Sequence, residues 1–391
     1  MNTKLKKILI IIVIILIIAL AGLLIYNFLI KKDAQLDDNN GNLPGEQPNS
    51  NNDQNQNQGN IEQPISERKI IAISMDPVLS PTTTNNKTSV IYYSKINGNI
   101  IQSDFDGLNK ITVSDTNLDN LIKVIWSPDK NKTLTTFQDN LENVSKYHYN
   151  LSDKKSSPLN QNIDYISWSS DSSKIAYQYQ NATTDENTIN TSNPDGSRYS
   201  AIFKTRMKDL IVEWPKGSTI YLREKPSGLA KSNLYSLNSL SKAFNKVISD
   251  IYGFSLKWSV AGDKILYSKT GSKGENIALF IASANGSGEK AMNVQTLVEK
   301  CTWSQDTRYI FCAIPNNIKD AKVLPDDFYK GTFVGDDGFY KINTETGEKI
   351  NLLESEGLNE FYDANELFLS SNEDYLFFVN KNNGLLYRIK I

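Results

Sequence analysis

Trp126-Ser127-Pro128-Asp129 returns four times along the chain. The copies are Trp168-Ser169-Ser170-Asp171, Trp214-Pro215-Lys216-Gly217, Trp258-Ser259-Val260-Ala261-Gly262-Asp263 and Trp303-Ser304-Gln305-Asp306. They use all five tryptophans, at separations of 42, 46, 44 and 45 residues. The later copies run through a polar turn into an apolar strand, as in Lys174-Ile175-Ala176-Tyr177, Thr219-Ile220-Tyr221-Leu222, Lys264-Ile265-Leu266-Tyr267 and Tyr309-Ile310-Phe311. Two further copies lack the indole: Leu79-Ser80-Pro81 ahead of Val90-Ile91-Tyr92-Tyr93, and Leu369-Ser370-Ser371 ahead of Tyr375-Leu376-Phe377-Phe378.

A second landmark follows several copies. Asp104-Phe105-Asp106-Gly107, Asn193-Pro194-Asp195-Gly196, Asn285-Gly286-Ser287-Gly288 and Thr344-Glu345-Thr346-Gly347 read as tight hairpin turns. Gly and Asx suit them because such turns need positive φ. Each unit thus holds four short strands in about 45 residues, the period of a β-propeller blade. The expected fold is all-β, a propeller of four-stranded blades. Seven is the expected number, with six or eight as alternatives. Leu79, Trp126, Trp168, Trp214, Trp258, Trp303 and Leu369 are the expected wedges between blades. A large side chain at a fixed place in a stacked repeat is buried by its neighbour. The last unit shows three clear strands, so Arg68–Ile73 is expected to supply its fourth and close the ring, removing two free sheet edges.

On these residues the chain resembles the TolB-type β-propeller repeat, which also builds propellers of the prolyl oligopeptidase and dipeptidyl peptidase type. The resemblance covers about residues 67–391. It departs from the pattern at Leu79 and Leu369, and at Pro215, which replaces the usual Ser. It implies a fold, and by analogy a platform that binds a protein or peptide of the cell envelope.

Residues 1–7 read as a short cytoplasmic start and 8–30 as a single transmembrane signal anchor. At about 1.5 Å per residue that apolar run crosses a bilayer core, and it outlasts a cleaved signal peptide's apolar region. Lys4, Lys6 and Lys7 favour the N-terminus inside. The propeller is then expected outside the cytoplasm on the plasma membrane. Residues 31–66, rich in Asn, Gln and Asp, read as a disordered tether. The chain of 391 residues has 39% hydrophobic residues and a mean hydropathy of −0.41, which excludes a polytopic membrane protein. Net charge is −2, so no basic field points to nucleic acid.

The chemistry read from sequence is mostly negative. One His (His148) and two Cys exclude a His/Cys zinc site, and neither a metal nor a cofactor is expected. No Gly-x-Ser-x-Gly elbow appears. His148 lies in an alternating, strand-like stretch. Asp104–Asn109 lacks the closing Glu of an EF-hand loop and reads as a turn. A turn about Asp306-Thr307 would set Cys301 opposite Cys312, near enough for a disulfide. Another turn type would shift the register, and two small core residues are the alternative.

One interval breaks the period: Trp303 to Leu369 is 66 residues. The excess lies between the second and third strands of that blade, on the face of the blade-to-blade links. Asp326, Asp327, Phe328, Tyr329, Lys330, Phe333, Asp336 and Asp337 are its candidate binding residues, because such loops carry function on rigid scaffolds. Asp336-Asp337, between glycines, also reads as a turn. Arg223-Glu224-Lys225-Pro226-Ser227-Gly228 is a shorter candidate on the same face. The expected function is a non-enzymatic, membrane-tethered binding or scaffold module. The alternative is a carbohydrate-active enzyme or lyase using carboxylates in the channel.

Overall fold

A computed structural model describes residues 69–115, 118–181, 183–353 and 360–391. The expected membrane span and tether lie outside these residues. Among the described residues no helix is long and apolar enough to cross a membrane.

Seven antiparallel sheets of four strands each form a seven-bladed propeller. Their innermost strands are Val78–Thr83, Leu121–Trp126, Ile163–Trp168, Ile211–Lys216, Leu256–Trp258, Cys301–Trp303 and Ala364–Leu369, which begin blades 1 to 7. Ile70–Ala72 pairs with Leu386–Lys390 and becomes the outer strand of blade 7. The first described strand therefore closes the ring against the last.

The core is seven layers rather than one centre. Seven hydrophobic clusters each join two adjacent blades, as where Trp303 and Ile310 meet Leu266 and Leu279, or Val78 and Tyr92 meet Phe377 and Leu386. Second strands are therefore apolar on both faces: Val90–Ser94 is buried throughout. Outer strands such as Lys155–Pro158 are largely exposed. All seven layers and the closing strand fall within the compact unit Glu62–Ile391, so that piece carries every contact of the fold described here.

The indoles do what their spacing implies. The Nε1–H of Trp126 donates to Ser80 O at 2.7 Å, that of Trp168 to Ile125 O at 3.1 Å, and that of Trp303 to Lys257 O at 3.2 Å. Trp258 reaches the Glu213 carboxylate at 3.2 Å. Each acceptor lies on the inner strand of the preceding blade. Trp214, whose turn carries Pro215, bonds Gly217 O of its own turn instead. The serine after the indole knits the turn: Ser127 Oγ donates to Asp129 and accepts the Lys132 amide at 3.0 Å. Ser169, Ser259 and Ser304 accept in the same way from Lys174, Lys264 and Tyr309.

Blade 1 corrects one assignment. Thr83 pairs with Val90, as Trp126 pairs with Thr133 and Trp303 with Ile310. By register the repeat's place belongs to Thr83, and Leu79 sits four residues upstream, opposite Tyr93, where it still packs into the layer between blades 1 and 2. Thr84 replaces the serine and donates to Asn86 at 2.6 Å. Leu369 does hold the wedge place of blade 7, opposite Leu376.

Cys301 faces Cys312 in register and the two form a disulfide, with Cα atoms 4.1 Å apart. Gly107, Gly196, Gly286 and Gly347 all have positive φ in the expected turns. Asp104 accepts from the amides of Asp106 and Leu108 and from the Asn109 side chain, which makes it a turn cap. His148 is a strand residue paired with Leu134, and burial holds its imidazole below the usual value.

Candidate functional site

In an antiparallel blade the second-to-third strand loops and the blade links share one end. The long loop 316–336 of blade 6 leaves from that end and does not stand free. Asp326, in the short helix Asp326–Tyr329, accepts Ser227 Oγ at 3.0 Å and the Gly228 amide at 2.7 Å from blade 4. The Leu324 amide donates to Gly274 O of blade 5 at 2.9 Å. Lys381 of blade 7 donates to Phe328 O at 3.3 Å and lies 3.9 Å over the Phe328 ring. The loop is thus a roof reaching from blade 4 to blade 7. Its crossing is tight: a Cβ at Gly228 would lie 2.3 Å from Leu324 O and 2.5 Å from Gly274 Cα.

Most of the candidates in this loop build the roof. Phe328 and Phe333 are buried with Ile277, Leu297 and Leu324 in a small core of their own. Asp327 accepts the amides of Lys322 and Val323, which hold its carboxyl below the usual range. The Asp336 amide donates to Asn317 Oδ1. Lys330 is exposed.

Asp337 departs from its reading as a turn residue. It opens the third strand of blade 6 and is fully buried. Its Oδ2 accepts Lys300 Nζ and the Ala364 amide, each at 2.6 Å. Lys300, also fully buried, donates to Asp363 at 2.6 Å. Burial outweighs the lysine and holds the Asp337 carboxyl up, to about 6. This cluster ties the foot of the roof to the link into blade 7. It is closed to ligand.

Tyr329 is the roof residue that reaches the mouth. Its hydroxyl donates to Glu299 and lies 3.2 Å from Ser255 Oγ. Beneath it opens a cleft of about 530 Å³, lined by Arg223, Lys225, Ser255, Lys257, Glu299 and Tyr329 among others. Arg223, only 8% exposed, ends the second strand of blade 4. Its Nε stands 3.5 Å from Glu213, whose same oxygen takes the Trp258 indole. Its Nη1 has no hydrogen-bond partner among the described residues, and neither has Glu299 Oε2. A buried guanidinium nitrogen without an acceptor is costly. It fits a planar anion such as a carboxylate.

Lys257 belongs to the same wall and donates to Cys301 O at 2.5 Å. Burial draws its ammonium down to about 8, against the pull of Glu299 and Glu366. Glu366 lies on the inner strand of blade 7 at a φ of 52°, and burial holds its carboxyl up. Positive φ on a glutamate within a strand marks a bulge, a device that re-aims side chains near sites.

The loop from Arg223 was legible as a candidate in sequence. Ser255, Lys257 and Glu299 were not singled out. One signal existed: the residue before the indole is charged only in blades 4 and 5, as Glu213 and Lys257. A second depression of about 430 Å³ between blades 1 and 2 is lined by Tyr93, Phe137, Tyr147 and Tyr149. There Tyr93 is bonded to Thr133, and Tyr149 approaches Ser114.

No protein-family model and no curated protein sequence matches this chain. Solved structures do. An oligogalacturonate lyase from Vibrio parahaemolyticus aligns at 11% identity, covering 82% of this chain and 93% of its own, with a TM-score of 0.59. Another oligogalacturonate lyase structure, at 10% identity, the same coverage and a TM-score of 0.60, is a complex with manganese. The propeller domain of the trilobed protease of Pyrococcus furiosus aligns at 12% identity over 81% of this chain and 96% of its own, with a TM-score of 0.54. TolB from Acinetobacter baumannii is a looser match: 14% identity, 72% and 62% coverage, TM-score 0.45.

These likenesses show the fold, and they include propellers of the kind the repeat resembles. They also correct the expectation of a chain without enzymatic activity. The solved propellers sharing its shape over four fifths of its length include lyases, so this architecture gives no ground for setting catalysis aside. Among the described residues no group of three or more His, Cys, Asp or Glu side chains could hold a metal ion.

Proposed function

We propose that this chain is a membrane-tethered propeller, presented outside the cytoplasm, that binds a carboxylate-bearing oligosaccharide at its roofed mouth. The observation that carries the reading is the pairing of two unmet groups in one cleft. Arg223 Nη1 wants an acceptor and Glu299 Oε2 wants a donor. A uronate ring supplies both, as a carboxylate and hydroxyls. Oligogalacturonate, named for the lyases of similar fold, is a saccharide of this class. The Cys301–Cys312 bridge supports an oxidising compartment, in keeping with the N-terminus inside and the propeller outside.

The test is calorimetric titration of residues 62–391 with trigalacturonate and with its methyl ester. The acid binds and the ester does not. Arg223→Gln weakens the acid about 10- to 100-fold, the value of one charge-assisted hydrogen bond. Equal binding of acid and ester would reject the reading. An envelope protein or peptide is the second reading. It is favoured by the exposed apolar side chains Leu229, Val334 and Phe361 in loops of the same face. Acidic peptides in the same titration decide between the two.

A further inference from the structure

The mouth is one end of the ring. At the other end lie the turns that join first to second strands and third to fourth strands in each blade. The chain enters the ring at that far end. Ile70–Ala72 runs antiparallel to Leu386–Lys390 and leads into the link before Val78, on the mouth side, so the strand starts at the far end. There Lys69 O accepts the Lys390 amide at 2.8 Å. The proposed anchor 8–30 and tether 31–66 therefore join the propeller on the face opposite the mouth.

Charge is segregated across that face. Its turns in blades 2, 3 and 4 carry Lys154, Lys155, Lys174, Arg198, Lys216 and Lys242, all exposed. The exposed acids of the same turns are Asp153, Asp171 and Asp195, so six cations stand against three anions. Two of those anions are turned back onto their own turns, Asp171 accepting Ser173 Oγ and Asp195 accepting Ser197 Oγ. In blades 6 and 7 the corresponding turns carry Glu345, Glu348, Glu373 and Asp374 instead. Large apolar side chains stand among the cations. Tyr199, next to Arg198, is 72% exposed, Leu240, two residues before Lys242, is 80% exposed, and Val260 in blade 5 is 61% exposed. Cations around a tyrosine and aliphatic tips suit a bilayer interface: the cations meet headgroup phosphates, the ring lies at headgroup level and the tips enter the acyl boundary.

We infer that this basic arc docks on an anionic phospholipid bilayer, the one its own anchor would span, and so holds the mouth pointing away from the membrane. The occupant follows from where the chain is joined. A coil of the tether's length reaches about 30 Å, which keeps the far face next to lipid at high effective concentration, where weak contacts suffice. The orientation rests on the tethered reading above. The docking of the arc rests on its own charge and apolar tips.

The test sediments residues 62–391 with sucrose-loaded vesicles of phosphatidylcholine, with and without about 30% phosphatidylglycerol, an anionic lipid. The piece should pellet with the anionic vesicles, stay in solution with the neutral ones, and come off at about 0.5 M salt, where screening is short-ranged. The triple variant Lys174→Gln, Lys216→Gln, Lys242→Gln should bind about 100-fold more weakly, at about fivefold per cation. Lys273→Gln, Lys319→Gln, Lys322→Gln removes equal charge from exposed loops of the mouth end and should bind within about twofold of the parent. Equal loss in both triples, equal pelleting with neutral vesicles, or binding to soluble polyphosphate without binding to vesicles would overturn the inference. Should a variant fail to fold, as judged by circular dichroism, the parent's salt dependence decides: binding unchanged at about 0.5 M salt rejects the arc. Carbonate washing of membranes from cells producing the full chain separates the two readings. Retention of the full chain, with no vesicle binding by residues 62–391, would overturn the docking and leave the tether. Release by carbonate, with vesicle binding intact, would overturn the tether and leave the docking.

Discussion

Replacing Lys300 by Met leaves two buried carboxylates facing each other at the foot of the roof. Lys300 and Asp337 are fully buried, Asp363 is 1% exposed, and both lysine contacts are 2.6 Å. Lys381 stays 3.8 Å from Asp363 and compensates in part. Removing one partner of such a cluster costs about 3–5 kcal/mol at pH 7. The cost has a pH signature. Asp337 is already held up, to about 6, above its ordinary value. A carboxyl whose folded value is raised is stabilising when protonated, and that stability is lost as pH rises through the folded value. Without Lys300 the folded value climbs further, so the penalty grows with pH. Each carboxyl contributes about 1.4 kcal/mol per pH unit between its unfolded and folded values. The parent's Asp337 shares that slope up to about 6, so between pH 7 and pH 5 the penalty shrinks by about 1.4 kcal/mol for this carboxyl. Urea unfolding of parent and Lys300→Met at the two pH values measures it. A penalty below 1 kcal/mol at pH 7, or one equal at both pH values, would refute the reasoning.

Three further outcomes follow from the fold. Trp303→Ala removes an indole that is 4% exposed and bonded across a blade boundary; the unfolding free energy from urea titration should fall by about 3–5 kcal/mol, the cost of emptying a buried aromatic site. Gly228→Ala sets a Cβ against Leu324 O and Gly274, so the roof lifts while the ring stays closed. Limited proteolysis should then cut within 316–336 at unchanged global stability, and an uncut loop would contradict the crossing. Mass spectrometry of the unreduced chain should show Cys301 and Cys312 in one cross-linked peptide pair; two alkylated thiols would contradict the register.

The ring was readable because its landmarks are chemically loud. An indole is large and carries one donor, so a place that buries it against the next blade shows as a period. The cysteine register followed from one turn position, and the structure has Cys301 opposite Cys312. Blade 1 misled because its wedge place holds Thr83, a residue without hydrophobic signal, while Leu79 nearby has one. The roof was visible as 20 surplus residues, but its division of labour was not. Phe328 packs inward and Asp337 closes on Lys300, partners set by the crossing of distant segments. Lys257 was hidden for a different reason. It sits beside a core indole in a strand of three residues, where nothing local separates a wall of a cleft from ordinary packing.

A crystal structure of residues 62–391 with bound trigalacturonate tests the central claim most directly. A saccharide carboxylate should lie within hydrogen-bond distance of Arg223 Nη1, with a sugar hydroxyl on Glu299 Oε2 beneath Tyr329. A saccharide seated elsewhere, with Arg223 turned onto Glu213, would contradict it.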